Sequence, residues 1–350
     1  MLIRKKSPHG GYHDGNLDVL DFSANLNPAG MPDCVREALL ESVSESMEYP
    51  DPYCRELRNS ISKYVGVPSN CILCGNGATE LVYSFAFSLS GDKQALIVSP
   101  SFSEYETALA AAGIGTEHYI LSKDNGFQLT ENILESDLTR YSAVFLCTPN
   151  NPTGVSIHPD LLRKIAKTGV RVFVDMCFLD MTEDPDRYDN PDLIQKYPNV
   201  TVLRAFTKNF AMAGVRLGYV LSSDSEFLEK MSSKAPCWNV STFAQKAGIA
   251  ASTCRQWLRE SVEEMSRERE VLSSALKDLG ICVFSSEANY LLLFVKQSSG
   301  TRLKDRLAEK GILVRDCSDY VGLGDGYFRI AIRTKTENDR LLSAVREVLS

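Results

Sequence analysis

The sequence contains no apolar run long enough to cross a bilayer, which takes about 20 consecutive apolar residues. The basic residues Arg4, Lys5 and Lys6 are followed by no apolar stretch, so we expect no signal peptide. The net charge is −7, and this acidic balance argues against nucleic acid as a partner. An anionic small molecule is still compatible with the charge, because such a ligand responds to local charge rather than to the total.

Histidine is scarce, with four residues in 350, so we expect no metal site rich in histidine. The segment 71–74 has two cysteines at metal-like spacing but no second pair, which favours a packing role for them. The ten cysteines lie mostly in apolar or helical stretches, as Cys147, Cys177 and Cys282 do. In a chain of this size we expect reduced, buried thiols and a cytoplasmic location, not a disulfide framework.

The hydrophobic pattern predicts an α/β protein with a second, smaller domain. From residue 72 onward short apolar strands alternate with helices, which is typical of a doubly wound, mostly parallel sheet. After residue 240 the pattern changes: residues 243–279 are helical throughout, and grouped strands and helices follow. We therefore predict an N-terminal arm (1–30) associated with the small domain, a large domain (31–258) and a small α+β domain (259–350).

Four short motifs follow predicted buried strands, and one of them centres on a lysine. Lys208 comes soon after the apolar run 200–203, in the position where ligands bind outside the carboxyl ends of strands. A partly desolvated lysine amine can lose its proton and attack a carbonyl to form a Schiff base. Thr207 supplies a hydroxyl beside it, and Arg216 can form a bidentate pair with a phosphate. Taken alone, these residues could also be surface groups on a loop.

The other three motifs supply the remaining parts of a single site. Residues 75–80 include two glycines and open an apolar helix, and the N-terminus of a helix favours a phosphate. Residues 149–154 follow an apolar strand and can place an amide near a ring oxygen. The strand 172–175 ends in Asp175, the kind of partner that a pyridinium nitrogen needs to stay protonated. Together the four motifs indicate a site for pyridoxal 5′-phosphate (PLP).

In this order, the motifs resemble those of the fold-type I PLP enzymes of the class I/II aminotransferase superfamily, over nearly the whole chain. Within it, segments 9–11, 20–28, 147–154 and 329–333 resemble the threonine-phosphate decarboxylases of cobalamin side-chain synthesis. The histidinol-phosphate aminotransferases are near relatives. The resemblance implies a PLP-dependent carboxy-lyase that converts L-threonine O-phosphate into aminopropanol O-phosphate. A histidinol-phosphate aminotransferase and a serine-O-phosphate decarboxylase are the alternatives.

The resemblance also implies a role for each motif residue. The catalytic residues would be Lys208, which forms the Schiff base, and Asp175, which pairs with the ring nitrogen. The other cofactor-binding residues would be Gly77, Ala78, Thr79, Phe102, Asn151, Thr207, Arg216 and Tyr49. Tyr49 would reach the cofactor phosphate of a partner subunit, which implies a homodimer with shared active sites. The substrate-binding residues would be His9, Asn151, Arg315 and Arg329, with Arg333 either a further ligand or a solvated charge at a strand end.

Two positions depart from the superfamily pattern. Aminotransferases usually carry a tyrosine three residues after the aspartate, whereas Phe178 cannot hydrogen-bond the ring hydroxyl oxygen, which favours a decarboxylase. Ala205 replaces a serine or threonine, so we expect a somewhat weaker grip on the cofactor, by about 1 kcal/mol for one neutral hydrogen bond. The positive groups His9, Arg315 and Arg329 exceed what one carboxylate requires, and they suit a substrate with both a carboxylate and a phosphate.

Overall fold

The computed structural model describes residues 10, 11, 19–189 and 191–349. Its strands are β1 (Leu20–Asp21), β2 (Ile72–Asn76), β3 (Ala95–Ser99), β4 (Thr116–Ile120), β5 (Val144–Cys147), β6 (Val172–Asp175), β7 (Val200–Ala205), β8 (Leu217–Leu221), β9 (Cys282–Val283), β10 (Tyr290–Phe294), β11 (Ile312–Leu313), β12 (Arg315–Asp316) and β13 (Tyr327–Ala331). Its helices are α1 (Asp33–Glu41), α2 (Arg55–Val65), α3 (Gly77–Ser88), α4 (Glu104–Ala111), α5 (Pro159–Ala166), α6 (Pro185–Tyr188), α7 (Pro191–Lys196), α8 (Phe206–Asn209), α9 (Ser225–Ser232), α10 (Thr242–Ala251), α11 (Arg255–Asp278), α12 (Gln297–Glu309) and α13 (Lys335–Leu349).

Within the described residues, seven strands form one large sheet in the order β2-β8-β7-β6-β5-β3-β4. The strands from β7 to β4 pair in parallel, whereas β8 is antiparallel to both β7 and β2. Every residue of β3, β5, β6, β7 and β8 is buried, as in a sheet that is covered on both faces. The predicted α/β fold with a mostly parallel sheet is confirmed.

The order of the strands positions the predicted site. Strands β5, β6 and β7 are parallel neighbours, and they end at Cys147, Asp175 and Ala205. Their carboxyl ends therefore lie side by side, at the edge of the sheet where ligands bind in such folds. The segments that follow β5 and β7 carry Asn151 and Lys208, which brings residues far apart in sequence to one edge.

A second sheet lies in the C-terminal third, with four antiparallel strands in the order β12-β13-β10-β9 in the described part of the chain. Strand β1 pairs in parallel with β11, with Leu20 opposite Ile312. The described part of the predicted arm is thus tied to the C-terminal third of the chain. The arm (1–30), large domain (31–258) and small domain (259–350) stay a prediction, and α11 runs through the proposed boundary at residue 258.

Two predicted elements are each divided in the structure. Residues 243–279 form not one helix but α10 and α11, separated at residues 252–254. Ser252 and Thr253 donate their hydroxyls to the carbonyls of Gly248 and Ala250, so side chains cap the last turn of α10 and the helix ends. The predicted strand 312–315 is likewise two short strands, β11 and β12, with different partners.

The expectation that the cysteines are reduced and buried is wrong at several positions. Cys34 and Cys254 form a disulfide between α1 and the start of α11. Cys282 is exposed because β9 is an edge strand, in which alternate side chains face the solvent while Val283 packs inward. Cys147 and Cys177 are buried thiols, as expected. Among the described residues, no helix is both long and apolar enough to span a membrane.

Candidate active site

One pocket at the carboxyl edge of the large sheet collects most of the predicted site residues. Its walls include Ala78, Thr79, Phe102, Asn151, Asp175, Thr207, Lys208, Arg216, Arg315 and Arg329. Gly77 lies directly behind this wall at the start of α3. His9 lies outside the described residues, although its neighbour Gly10 lines the pocket.

Lys208 occupies the short helix α8, directly after β7. The N–H of Asn27 donates to the carbonyl of Lys208 at 3.0 Å, and Asn27 Nδ2 donates to the carbonyl of Asn209 at 2.8 Å. Burial, followed by the positive charge of Arg329, lowers the pKa of the Lys208 ammonium to about 8. At pH 7 about a tenth of the amine is therefore neutral and able to act as a nucleophile.

A buried ionic network lies beneath the turn that carries this lysine. Arg204, which is 3% exposed, donates to Asp180 and, at 2.8 Å, to Asp189. Asp180 also accepts hydrogen bonds from Asn209 Nδ2 at 2.8 Å and from the hydroxyl of Tyr64 at 3.2 Å. The side chain of Asn209, which follows the lysine, is thus held by Asp180, and this contact fixes the path of the turn.

Asp175 ends β6 and is 7% exposed. Its Oδ2 accepts a hydrogen bond from the hydroxyl of Tyr105 at 2.6 Å, and its Oδ1 accepts one from the N–H of Cys177 at 2.9 Å. Burial raises the pKa of this carboxyl group, and the two hydrogen bonds act in the opposite direction because they favour the charged form. The pocket therefore contains a carboxylate that is held at both oxygens.

The start of α3 and Arg216 form an anion-binding corner. At the start of helix α3 the side chain of the N-cap residue Asn76 makes no capping hydrogen bond among the described residues, while the N–H of Asn76 donates to Glu80 Oε2 at 2.6 Å. The N–H groups of the first turn favour an anion. A Cβ atom at Gly77 would lie 2.5 Å from Nη2 of Arg216, so a larger residue would displace the guanidinium, and the φ of +78° also favours glycine here. Arg216 itself has a φ of 63°, and this strained conformation turns its side chain toward the helix.

A second pair of arginines lines another wall of the pocket. Arg329, which is 7% exposed, donates to Asn151 Oδ1 and to the carbonyl of Ser23, while its Nε has no hydrogen-bond partner in the described chain. Arg315 donates to both carboxylate oxygens of Asp319, at 3.0 and 2.8 Å. Because Asp319 is 43% exposed, this ion pair is weak enough for an anionic ligand to replace it.

Aromatic side chains complete the pocket. Phe102 is half-buried, and its ring meets that of Tyr105 edge-on at 5.7 Å. Phe178 is buried, lines the pocket, and packs edge-on against Tyr290 at 5.0 Å. Phe178, which departs from the usual tyrosine, thus lies in the pocket wall, and its phenyl ring presents no hydrogen-bonding group there.

Two predicted ligands lie elsewhere. Tyr49 is 82% exposed and does not line the pocket of its own chain; its ring lies tilted against that of Trp238, with the ring centroids 4.7 Å apart. Arg333 donates to the carbonyl of Asp21 and to Glu337, so it joins the N-terminal segment to the C-terminal helix. Arg333 is therefore neither a pocket residue nor a freely solvated charge.

The sequence analysis did not identify several of the residues that line the pocket. Ser23, Ala24, Asn25, Cys147, Cys177 and Tyr320 line the pocket without belonging to a motif position that we had singled out for a role. Tyr105 on α4 also lines the pocket and was not among the predicted site residues. A signal for it was present, since it stands three residues after Phe102, and this spacing places two side chains on one side of a helical turn.

Comparison with known proteins identifies the family. A model of the family described as aminotransferase class I and II matches residues 17–345. The chain belongs to this family. A threonine-phosphate decarboxylase of Salmonella typhimurium is 36% identical over 337 residues, which cover 95% of this chain and 92% of the relative.

Solved structures of class I and II aminotransferases share the fold. The histidinol-phosphate aminotransferase from Clostridium acetobutylicum matches with a TM-score of 0.89 and 29% identity, over 95% of this chain and 99% of that one. The histidinol-phosphate aminotransferase from Sinorhizobium meliloti, solved with pyridoxal 5′-phosphate, matches with a TM-score of 0.82 and 20% identity, over 95% of this chain and 90% of that one. The fold is therefore the fold-type I architecture, and the chain is a PLP-dependent enzyme of this family.

The pocket has the groups that PLP requires. The anion-binding corner of Gly77 and Arg216 suits its phosphate, and the carboxylate of Asp175 suits its ring nitrogen. Lys208, with its lowered pKa, suits its carbonyl carbon. When bound, PLP supplies an electron sink for the bond that breaks at the substrate's Cα.

Proposed function

We propose that this enzyme decarboxylates an O-phosphorylated β-hydroxy amino acid, and that L-threonine O-phosphate is the substrate and aminopropanol O-phosphate the product. The observation that carries the proposal is the pair of arginines, Arg315 and Arg329, in the same pocket as Lys208 and Asp175. Two cationic groups exceed the need of one carboxylate, and they match a substrate with a carboxylate at one end and a phosphate at the other.

The two arginines have different roles in this proposal. Arg329 is buried and has a free Nε donor, so it receives the substrate carboxylate. Arg315 exchanges the exposed carboxylate of Asp319 for the substrate phosphate. Anchoring at the phosphate would let the enzyme orient the bond between Cα and the carboxylate for cleavage, because binding energy far from the reacting bond supports the orientation of that bond.

Lys208 is the proton carrier of the reaction. After carbon dioxide has left, the substrate's Cα needs a proton, and the Lys208 amine lies in the same pocket with a pKa of about 8. A group with a pKa near the working pH can both accept and donate a proton. Because the proton returns to Cα, no second substrate is required, and this distinguishes a decarboxylase from an aminotransferase.

Two further observations favour the decarboxylase. The Salmonella typhimurium relative that is 36% identical is a threonine-phosphate decarboxylase. Phe178 occupies the position of the tyrosine that is usual in aminotransferases, and it offers no hydroxyl to the pocket. A histidinol-phosphate aminotransferase is the second candidate, favoured by the TM-score of 0.89 to the Clostridium acetobutylicum enzyme.

The decisive experiment supplies the PLP-loaded enzyme with L-threonine O-phosphate and no keto acid. We expect stoichiometric release of carbon dioxide and aminopropanol O-phosphate. Serine O-phosphate should react more slowly, by about 10-fold or more, since one methyl group is worth roughly 1–3 kcal/mol in a fitted pocket. Glutamate formation from histidinol phosphate and 2-oxoglutarate, with no carbon dioxide from either phosphoamino acid, would overturn the proposal in favour of the aminotransferase.

The proposed active unit is a homodimer. Six of the eleven exposed large hydrophobic side chains in the described residues lie between residues 40 and 53 or at residue 238, namely Leu40, Val43, Met47, Tyr49, Tyr53 and Trp238. The contact between the Tyr49 and Trp238 rings joins these two parts of the chain. Exposed apolar side chains are typical of a protein interface, and we propose that a second copy of the chain packs here and that Tyr49 reaches the pocket of that copy.

A further inference from the structure

The hydroxyl group of Tyr105 is hydrogen-bonded to the carboxylate of Asp175 in the pocket. Its side chain is fully buried, and its hydroxyl donates to Asp175 Oδ2 at 2.6 Å. The other oxygen, Oδ1, accepts the N–H of Cys177 at 2.9 Å. The thiol of Cys177 also hydrogen-bonds to this carboxylate. The protein thus holds both oxygens and fixes the plane of the carboxylate.

The ring of Tyr105 cannot move away from this position. It packs against Phe102 at 5.7 Å, Phe145 at 5.7 Å and Phe173 at 6.3 Å between ring centroids. Phe145 and Phe173 lie on β5 and β6, so the tyrosine is held by the same strands that position the site. One turn of chain therefore carries both an aromatic wall of the pocket, Phe102, and the hydrogen-bond donor to Asp175.

Among the ionisable groups around Asp175, Tyr105 is the main hydrogen-bond donor to its carboxylate. Burial raises the pKa of the Tyr105 hydroxyl well above its ordinary range, so this group keeps its proton near neutral pH. Burial likewise raises the pKa values of the thiols of Cys147 and Cys177, which therefore stay uncharged beside the carboxylate. Lys208 faces Asp175 from α8, and its positive charge favours the ionised carboxylate. Against the burial of Asp175, the Tyr105 hydrogen bond is the foremost influence that lowers the pKa of the carboxyl group.

We propose that Tyr105 is a positioning residue for Asp175, the proposed partner of the cofactor's ring nitrogen. The Tyr105 hydroxyl fixes the orientation of the Asp175 carboxylate and keeps it ionised. Asp175 can then hold the proton on the ring nitrogen. The inference rests on the placement of Asp175 at the ring nitrogen in the proposed function. It does not depend on which phosphoamino acid is the substrate.

The test measures the protonation of the ring nitrogen directly. Enzyme loaded with PLP that carries ¹⁵N in the ring is titrated by NMR, for the wild type and for Tyr105→Phe, which removes a single oxygen atom. We expect the ring nitrogen of the variant to lose its proton at a pH lower by about one unit or more, since a hydrogen bond to a charged group is worth about 1.5–3 kcal/mol. We also expect kcat to fall at least about 10-fold with little change in KM, because the interaction supports the reacting state.

The matched control is Tyr219→Phe. Tyr219 on β8 is a buried tyrosine like Tyr105 on α4, but its hydroxyl has no hydrogen-bond partner in the described part of the chain. This variant should leave the pH at which the ring nitrogen loses its proton unchanged. An equal shift in both variants, or no shift in a folded Tyr105→Phe enzyme, would refute the role of Tyr105.

Two further variants separate a failure of this inference from poor folding of Tyr105→Phe and from a failure of the proposed function. A 3-fluorotyrosine at position 105 is a stronger donor with nearly the same shape, and it should shift the titration in the opposite direction. In an Asp175→Asn background, Tyr105→Phe should have no further effect. If Asp175→Asn alone leaves the ring nitrogen unchanged, the proposed placement of the cofactor fails together with this inference. If Asp175→Asn changes the titration and Tyr105→Phe does not, only the role of Tyr105 fails.

Discussion

Burial changes the chemistry of a lysine without any change in its covalent structure. Lys208 has a pKa lowered to about 8, first by burial and then by the charge of Arg329. We expect the rate at which the cofactor-free protein takes up PLP to rise with pH and to level off above about pH 8, because the neutral amine is the reactive form. Stopped-flow absorbance between pH 6 and pH 9.5 measures this rate. A rate that still rises tenfold per unit at pH 9 would indicate an ordinary exposed lysine.

The identity of the reacting lysine has a separate test. Borohydride should fix PLP to the peptide that contains Lys208, because its amine lies in the pocket beside Asp175. Mass spectrometry of the digested protein locates the label. Labelling of another lysine instead would contradict the site assignment.

Arg315 should matter only for substrates that carry a phosphate. In Arg315→Ala we expect kcat/KM for L-threonine O-phosphate to fall by about 100-fold or more, since a charge-assisted bidentate pair is lost and the remote anchor with it. Any residual turnover of threonine should change much less. The matched control is Arg333→Ala, which removes a nearby arginine that contacts Asp21 and Glu337 outside the pocket. Equal losses for both substrates would show that Arg315 has no special role toward the phosphate.

At the scale of the elements, the stability of β7 and α8 depends on the buried ionic network around Arg204. Arg204 is 3% exposed and pairs with Asp180, which is 12% exposed, and Asp189, which is 29% exposed, so Arg204→Met leaves two carboxylates without their cation. We expect the free energy of unfolding to fall by about 3–5 kcal/mol, the usual cost of breaking a buried ion pair. Urea unfolding measures it. The comparison is Arg36→Met, which breaks an exposed pair with Asp33 and should cost under about 1 kcal/mol.

The same elements explain what the sequence can predict. The strands of the large sheet were predictable because β-branched and aromatic runs between glycine-containing turns are local signals. The pocket motifs follow from these strands, since their carboxyl ends share one edge. The pairing of Tyr105 with Asp175 joins residues 70 positions apart, and no local pattern specifies it. The break at residues 252–254 depended on hydroxyl groups that bond back to the helix, in a segment whose apolar periodicity continues.

For the whole molecule, the position of Tyr49 gives a test of assembly. Because Tyr49 lies outside the pocket of its own chain, Tyr49→Phe and Lys208→Ala should each impair activity, and mixed dimers of the two should recover part of it. In such a dimer, one of the two shared sites has neither change. The assay mixes differently tagged chains, purifies the hybrid and measures carbon dioxide release. Impaired parents with no recovery in verified hybrids would indicate that each site is built from one chain.

The pairing of the chain's beginning with its end determines when the pocket can form during synthesis. Leu20 on β1 pairs with Ile312 on β11, and the carbonyl of Ser23 accepts a hydrogen bond from Arg329. A nascent chain that has already exposed Lys208 and Asp175 to the solvent still lacks this wall until β13 has left the ribosome. The large sheet can therefore fold while translation continues, since domains fold as units, but the pocket cannot close until β11 and β13 have also left the ribosome. A ribosome that stalls before residue 329 would release a protein with its lysine in place and no wall to hold a substrate against it.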